Sequence, residues 1–363
     1  MHELRAFVAA TGLAAAFGFG GTAMADPAAD AVHSFVLPPD ADCTTAGGTC
    51  DITGDNGDGG ANALGAQDCP AGCSDADLDK ITTIGWDTAQ QKGGILTLNF
   101  TDNICLADPD AGVIDVTVFE QGAIESFDIR TGPMGGGLTD ASFLGRTGNT
   151  PVANVTSNDF EIGGAFDQIA IEATDELVQG LSNFSGPEID AVECLHSLDL
   201  SPGDAAHIDG CDIGGGANDI DVLIASTDGT DIVVTMVLCA DADTKTKYRV
   251  YYDHSYPFVT EQTAGSGRCE QRTTFDDTME HHGRKDKGPG MFEVDPDFVS
   301  DDHILKFTVP LAELNAPLGS GDPVFIWAGT QLKGTRDQAP NTEAGDNCYQ
   351  PELASEALEL TIP

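Results

Sequence analysis

The chain has 363 residues, 60 Asp and Glu against 16 Lys and Arg, a net charge of −44 at pH 7, and 40% hydrophobic residues. That charge argues against nucleic acid, whose phosphates it would repel, and against anionic membrane surfaces. The apolar residues come in runs, which argues against a disordered chain.

Residues 1–25, "MHELRAFVAATGLAAAFGFGGTAMA", read as an export signal: Arg5 in the n-region, an apolar middle, and an A-x-A site before Asp26. The apolar run is too short and too Gly-rich for a transmembrane helix, and no later segment is long and apolar enough to span a bilayer. Removing the signal takes away Glu3 and Arg5, so the net charge stays at −44. A soluble exported protein, periplasmic or extracellular, is expected. Its ten cysteines all lie beyond the signal and fit an oxidising compartment. Plausible pairs are Cys43/Cys50, Cys69/Cys73, Cys211/Cys239 and Cys269/Cys348, leaving Cys105 for Cys194. The C-x3-C at Cys69 and Cys73 lacks a second Cys/His pair at finger-like spacing, so disulfides are preferred to zinc.

Along the chain, short apolar runs alternate with Gly, Asp and Pro. Strands are expected at "GGILTLNF", "GVIDVTVFE", "ESFDIRTG", "DFEIGG", "DQIAIEAT" and "IDAVECL". In "ILTLNF" the period of two puts Leu96, Leu98 and Phe100 on one face and Ile95, Thr97 and Asn99 on the other. The second half repeats this style. "DIDVLIAS" and "IVVTMVLCA" flank an Asp228-Gly229 bend, and "YRVYYD", "HILKFTVP", "PVFIWAG" and "SEALELTI" follow. Short helices are expected only at "PAADAVHSF" and "TDELVQGL". The fold class is all-β, with two antiparallel β-sandwich domains in tandem over residues 26–200 and 201–363.

"ANALGAQD", "GGILTLNFTDN", "VTVFEQG" and "GPEIDAVE", in that order, resemble a galactose-binding-like (discoidin-type) β-sandwich module of bacterial exported proteins. The resemblance covers about residues 40–200. It departs from the usual pattern at Gln67, where that module has Pro, and in the insertion "CPAGCSDADLDK". "YRVYYD", "FTVPLAEL" and the stretch beginning "WAGTQLKG" are more weakly similar to companion domains of the same proteins. The resemblance implies a jelly-roll-like, calcium-supported scaffold whose loops bind glycans or other surface ligands. Fold analogy does not name the ligand.

Asp outnumbers Glu by 43 to 17, and Asp serves both turns and calcium loops. Asp51, Asp55, Asn56, Asp58 and Asp68 form one Gly-rich candidate calcium loop. It lacks the EF-hand's Gly at position six and Glu at position twelve, and turn chemistry is the competing explanation. "GDAAHIDGCDIGGGANDID" holds secondary candidates Asp209, Asp212, Asp219 and Asp221, again against turn chemistry. Residues 245–287 carry eight of the 16 basic residues, interleaved with tyrosines. Tyr251, Tyr256, Arg272, Arg284 and Lys285 are the candidate ligand surface, since aromatic faces stack on sugar rings and Arg forks anionic groups. Core packing and Asp pairing are the alternative, above all for Tyr248 and Tyr252. His254, Asp277, His281 and His282 are the candidates for acid–base chemistry. However, neighbouring His281 and His282 in a strand face opposite ways, and neither H-E-x-x-H nor G-x-S-x-G occurs. "TMEHHGRKDKGPG" (278–290) is expected as a long loop contacting ligand. The expected function is non-catalytic recognition of a polysaccharide or cell-surface polymer with calcium as cofactor. A hydrolase or lyase acting on such a polymer, or a structural matrix protein, are the alternatives.

Overall fold

A computed structural model of the chain describes residues 27–36, 60–66, 82–87, 92–108, 110–121, 126–147, 155–175, 187–211, 216–255, 260–262, 271–273, 277–282, 285–294, 303–315, 318–333, 335–340 and 357–363. Among them the regular elements are β-strands, apart from the 3₁₀ turns Ala61–Ala63 and Leu311–Glu313. The all-β expectation therefore holds, and the ladders are antiparallel. No helix among the described residues is long and apolar enough to cross a membrane.

One element corrects the sequence reading. Residues 27–35 were expected to be helical, but Ala31–Val36 is a strand paired with Ile95–Asn99. The Asp30 carboxylate accepts hydrogen bonds from the Thr101 backbone N–H and hydroxyl and from the Asp102 N–H. That fixes the segment beside its partner strand, where the ladder satisfies its backbone groups. In "TDELVQGL", Thr174 and Asp175 complete the strand Gln168–Asp175, and the remainder lies outside the described residues.

In the first half, two five-stranded sheets face each other. One runs Ala31–Val36, Ile95–Asn99, Gln168–Asp175, Ser126–Gly132, Thr139–Asp140; the other runs Ser142–Thr147, Val155–Glu161, Val116–Gln121, Glu188–Cys194, Thr82–Thr83. Leu96, Leu98, Ile169 and Ile171 from the first pack on Val116, Val118, Phe160 and Val192 from the second. The alternation expected in "ILTLNF" is realised in part: Leu96, Leu98 and Phe100 are fully buried and Ile95 and Asn99 half-buried, but Thr97 on the second face is buried as well. Each such apolar side chain contributes roughly 1.5–3 kcal/mol on burial. The Cys105–Cys194 disulfide ties the strand Asn103–Cys105 to the end of Glu188–Cys194.

The second half has a five-stranded sheet and a six-stranded sheet. The five-stranded sheet runs Ala205–Ile208, Ile220–Thr227, Asp231–Leu238, Ile304–Pro310, Met291–Val294. Lys247–Asp253 and Pro323–Leu332 lie at the centre of the other, flanked by Asp277–His282 and Thr335–Ala339, with Leu358–Thr361 also pairing to Pro323–Leu332. The Asp228-Gly229 bend forms as expected. Gly229 takes φ 84°, and Asp228 Oδ1 accepts from the N–H groups of Thr230 and Asp231 at 2.8 and 2.9 Å. Tyr248 and Tyr252 sit in the core between the sheets.

The 278–290 stretch is not one long loop. Thr278–His282 belongs to the strand Asp277–His282, which turns back as Asp286–Lys287, with His281 opposite Asp286. The chain then crosses to Met291–Val294 in the other sheet through Gly288 and Gly290. Both glycines have positive φ (94° and 84°), and a Cβ at either would stand 2.1 Å from a carbonyl oxygen, of Thr278 or Thr308. Only Gly fits such a crossing.

Among the described residues no ladder joins a strand before residue 200 to one after it. The halves meet side by side instead. Ile104, Leu106 and Ala165 from the first pack against Val222, Ile224, Val237 and Ile304 from the second.

Candidate metal centre

Four aspartates gather where the sheets of the second half meet the first half. Asp209 follows the strand Ala205–Ile208, Asp219 precedes Ile220–Thr227, Asp221 is the second residue of that strand, and Asp337 is central in Thr335–Ala339. The ladder sets their spacing, since the Asp209 and Gly210 N–H groups both donate to the Asp221 carbonyl, at 2.8 and 3.1 Å. Asp337 Oδ2 accepts from the Ile220 N–H at 2.5 Å, so it reaches from one sheet to the other. Asp221 reaches into the first half, accepting from the Ala165 N–H at 2.9 Å (Oδ2) and 3.2 Å (Oδ1). The His207 Nε2 lies 3.4 Å from Asp209 Oδ1, at the exposed side of the group.

The side chains of all four are buried, although Asp209 as a whole residue is half-buried. The Asp209 side chain is 1% exposed, and Asp219, Asp221 and Asp337 are 0%, 3% and 5% exposed. Burial pushes the Asp221 carboxyl up to about 7. The charges of Asp219 and Asp209 push the same way, and the Ala165 N–H opposes them. Asp337 is likewise raised to about 7 by burial, against the Ile220 N–H, with Asp209 and Asp219 adding to the rise. Carboxylates that share a buried site repel one another, and this favours the protonated form. The electrostatic neighbours that act on Asp221 and Asp337 are other acids, and a bound cation is what would reverse the sign.

Carboxylate oxygen is the kind of donor a hard divalent ion takes. Four carboxylates supply oxygen only, and calcium takes six to eight oxygens at about 2.3–2.6 Å. Among the described residues, the one set of three or more potential metal-ligating side chains whose donor atoms lie within 4.8 Å of one another is Cys211, Asp221 and Cys239; Asp209, Asp219 and Asp337 do not come that close as a set. These cysteines are bonded to each other, so they offer no thiolate and the site is not of the zinc–thiolate type. Their disulfide joins the Asp209 turn to the end of Asp231–Leu238 and braces the acid-bearing turn.

Of the secondary candidates from the sequence, Asp209, Asp219 and Asp221 are brought together here, and Asp212 lies outside the described residues. Asp337 was missed. It is a lone Asp in a strand, and its one weak signal is polarity at an inward-facing position, opposite buried Thr330. Asp51, Asp55, Asn56, Asp58 and Asp68 lie outside the described residues, as do Tyr256 and Arg284.

The candidate ligand and acid–base residues are spread over the second half. Tyr251 is buried with Phe325 and Trp327 on the outer face of the six-stranded sheet. Beside it on that face Arg249 Nε donates to Glu280 Oε2 at 2.6 Å, and Lys287 Nζ to Glu280 Oε1 at 2.9 Å. Arg272 lies in a separate two-stranded ladder, at the register position opposite Glu261. Lys285 is exposed and exchanges backbone hydrogen bonds with His282. Asp277 is buried and accepts from the Asn315 backbone and side-chain amides at 2.8 and 2.6 Å. The His281 Nδ1 is 2.6 Å from Asp286 Oδ1, while His282 and His254 are exposed. Asp277 and His281 are four strand residues apart, about 13 Å, so the strand does not bring them within hydrogen-bond reach.

No protein-family model matches this chain, and no curated protein sequence matches it.

Proposed function

We propose that this is an exported, calcium-stabilised protein of two β-sandwich domains, spanning about residues 26–200 and 201–363, that binds an extracellular polysaccharide or cell-surface polymer without catalysis. The observation that carries the calcium part is the burial of Asp209, Asp219, Asp221 and Asp337 in one group whose mutual charge works against ionisation. Calcium here balances that charge and joins both sheets of the second half to the Ala165 segment of the first. The chain's own residues hold the ion: carboxylate oxygens coordinate, the Ile220 and Ala165 N–H groups orient Asp337 and Asp221, and the Cys211–Cys239 disulfide limits how far the turn can open. The ion supplies charge and geometry, and no reaction step is assigned to it.

Export is supported by the signal-like first 25 residues and by the two disulfides among the described residues. Polymer binding is supported by the resemblance to galactose-binding-like modules and by the exposed basic residues Lys285 and Lys287 of the 245–287 region. Arg249, Lys287 and Lys285 lie on or beside one hairpin of the six-stranded sheet.

The test has two arms. Calcium titration of the chelator-stripped mature protein is expected to show saturable binding that Asp337→Asn weakens at least tenfold. Retention on a panel of insoluble and gelled polysaccharides, with calcium and with chelator, is expected to select one polymer. No calcium binding sinks the metal reading. Calcium binding without retention on any polymer sinks the polymer reading alone.

A further inference from the structure

One carboxylate oxygen of Asp221 and the Sγ atoms of Cys211 and Cys239 all lie within 4.8 Å of one another. The sheet brings them together. The register against Asp231–Leu238 shifts between Ile220 and Val222, and Asp221 is the extra residue. A bulge re-aims the side chain it carries, and here an Asp221 oxygen stands beside the two sulfurs.

The cysteines are held next to Asp221 by bonds other than their own. The Cys239 N–H donates to the Asp219 carbonyl at 3.0 Å, and the Asp209 and Gly210 N–H groups donate to the Asp221 carbonyl at 2.8 and 3.1 Å. Cys211 follows Gly210 directly, so both cysteines keep their places when the S–S bond opens. The Ala165 N–H, 2.9 Å from Oδ2, fixes the Asp221 side chain.

The two disulfides among the described residues differ in access. Cys105 and Cys194 are 0% and 3% exposed, whereas Cys211 and Cys239 are half-buried. Exchange requires a thiolate to reach a sulfur, so access favours reduction of Cys211–Cys239. In that step a dithiol gives two electrons and two protons to the S–S bond, becomes a cyclic disulfide and leaves two cysteine thiols. A divalent ion that binds them displaces the two thiol protons to solvent.

We propose that Cys211, Cys239 and Asp221 form a thiolate metal site, closed by the disulfide and opened by its reduction, that takes a borderline-soft divalent ion such as zinc. Two sulfurs and one carboxylate oxygen are three protein ligands, and three-ligand zinc sites keep a fourth position for water or substrate. Asp221 is shared with the four-aspartate centre. Sulfur selects a softer ion than that centre would, and the thiolate site stands whether or not the oxidised protein binds calcium.

The experiment starts from mature protein reduced with dithiothreitol, desalted without oxygen and titrated with cobalt(II), whose charge-transfer absorption with sulfur reports thiolate ligation. Reduced wild type is expected to show that band and to lose it to zinc, while oxidised wild type shows none. The double variant Cys211→Ser/Cys239→Ser is expected to lack the band, and Asp221→Asn to bind cobalt about tenfold more weakly. Alkylation of reduced wild type with iodoacetamide, followed by peptide mass mapping, needs no substitution: zinc is expected to shield Cys211 and Cys239. A reduced wild type without the band overturns the proposal, as does one in which zinc leaves these two cysteines as reactive as before. So does a double variant that keeps the full band, which puts the thiolates elsewhere in the chain, and so does unchanged affinity in Asp221→Asn. None of these results depends on the calcium titration, which uses oxidised protein.

Discussion

Glu280 and Asp337 are carboxylates on two strands of the same six-stranded sheet, and burial raises the pKa of each. Their net shifts run in opposite directions. On the outer face, hydrogen bonds from Lys287 and Arg249 outweigh burial and hold Glu280 down to about 2. On the inner face the neighbours of Asp337 are Asp209 and Asp219, and it rises to about 7. Desolvation has the same sign at both places, and the companion charge decides the outcome. The outer strip is an acid balanced by protein cations; in the inner group Asp337 has acids among its electrostatic neighbours.

The largest effect expected from breaking this contrast comes from calcium itself. A ligand at about 1,000 times its dissociation constant adds about 4 kcal/mol to the folded state. In a chain of this size that is an upward shift in melting temperature on the order of 10 °C. Scanning calorimetry with calcium and with chelator measures it. The shift is expected to shrink from pH 8 to pH 5, because protons compete for Asp221 and Asp337, whose carboxyls sit near 7. Without calcium the trend reverses: the folded state binds more protons than the unfolded one, so stability falls as pH rises from about 4 through about 7.

Asp337→Asn sharpens the comparison by making one inner acid resemble a protonated one. At pH 8 it is expected to raise calcium-free stability by about 1 kcal/mol and to weaken calcium binding at least tenfold, about 1.4 kcal/mol. Paired denaturant and calcium titrations read both numbers. A variant that loses stability without calcium while binding it normally would contradict the charge argument.

Glu280→Gln tests the balanced side. It leaves Arg249 and Lys287 without their shared carboxylate and is expected to cost about 1 kcal/mol, since the strip is only partly shielded from water. The folded pKa lies below the ordinary value of 4.5, so the wild-type contribution is complete above about 4.5 and is lost as pH falls through about 2. Denaturation at stepped acid pH should show that loss in the wild type and its absence in Glu280→Gln. The smallest effect belongs to Tyr252→Phe, a burial cost without charge. The Tyr252 hydroxyl is buried without a hydrogen-bond partner, and burial and the Asp277 charge push its pKa upward. Removing it is expected to be neutral or to stabilise by up to about 1 kcal/mol in a denaturant melt.

Local pattern carried most of the fold. The alternation in "ILTLNF", the Asp228-Gly229 bend and the long apolar runs at Ile220–Thr227 and Pro323–Leu332 announce strands within a few residues of their true limits. The misses have a common cause. Ala31–Val36 was expected as part of a short helix, yet it is a strand paired with Ile95–Asn99, and Asp30 just before it is captured by Thr101 and Asp102, 71 and 72 residues away. The "GPG" stretch read as part of a long loop, because its glycines answer to carbonyls of Thr278 and Thr308 that no local window contains.

The candidate centre divides in the same way. Asp209, Asp219 and Asp221 are close in sequence and were visible as an acid and glycine motif. Asp337 was not, because its place there depends on the stacking of two sheets and a hydrogen bond to Ile220, 117 residues away. The sequence by itself determined the strands, their buried faces and the excess of acid, since alternation and charge are local properties of the chain. Tertiary structure alone decided which acids meet each other and which meet Arg249 or Lys287. A carboxylate's pKa is set by what stands within a few ångströms of it, and in a protein built from non-local ladders those neighbours come from far along the chain.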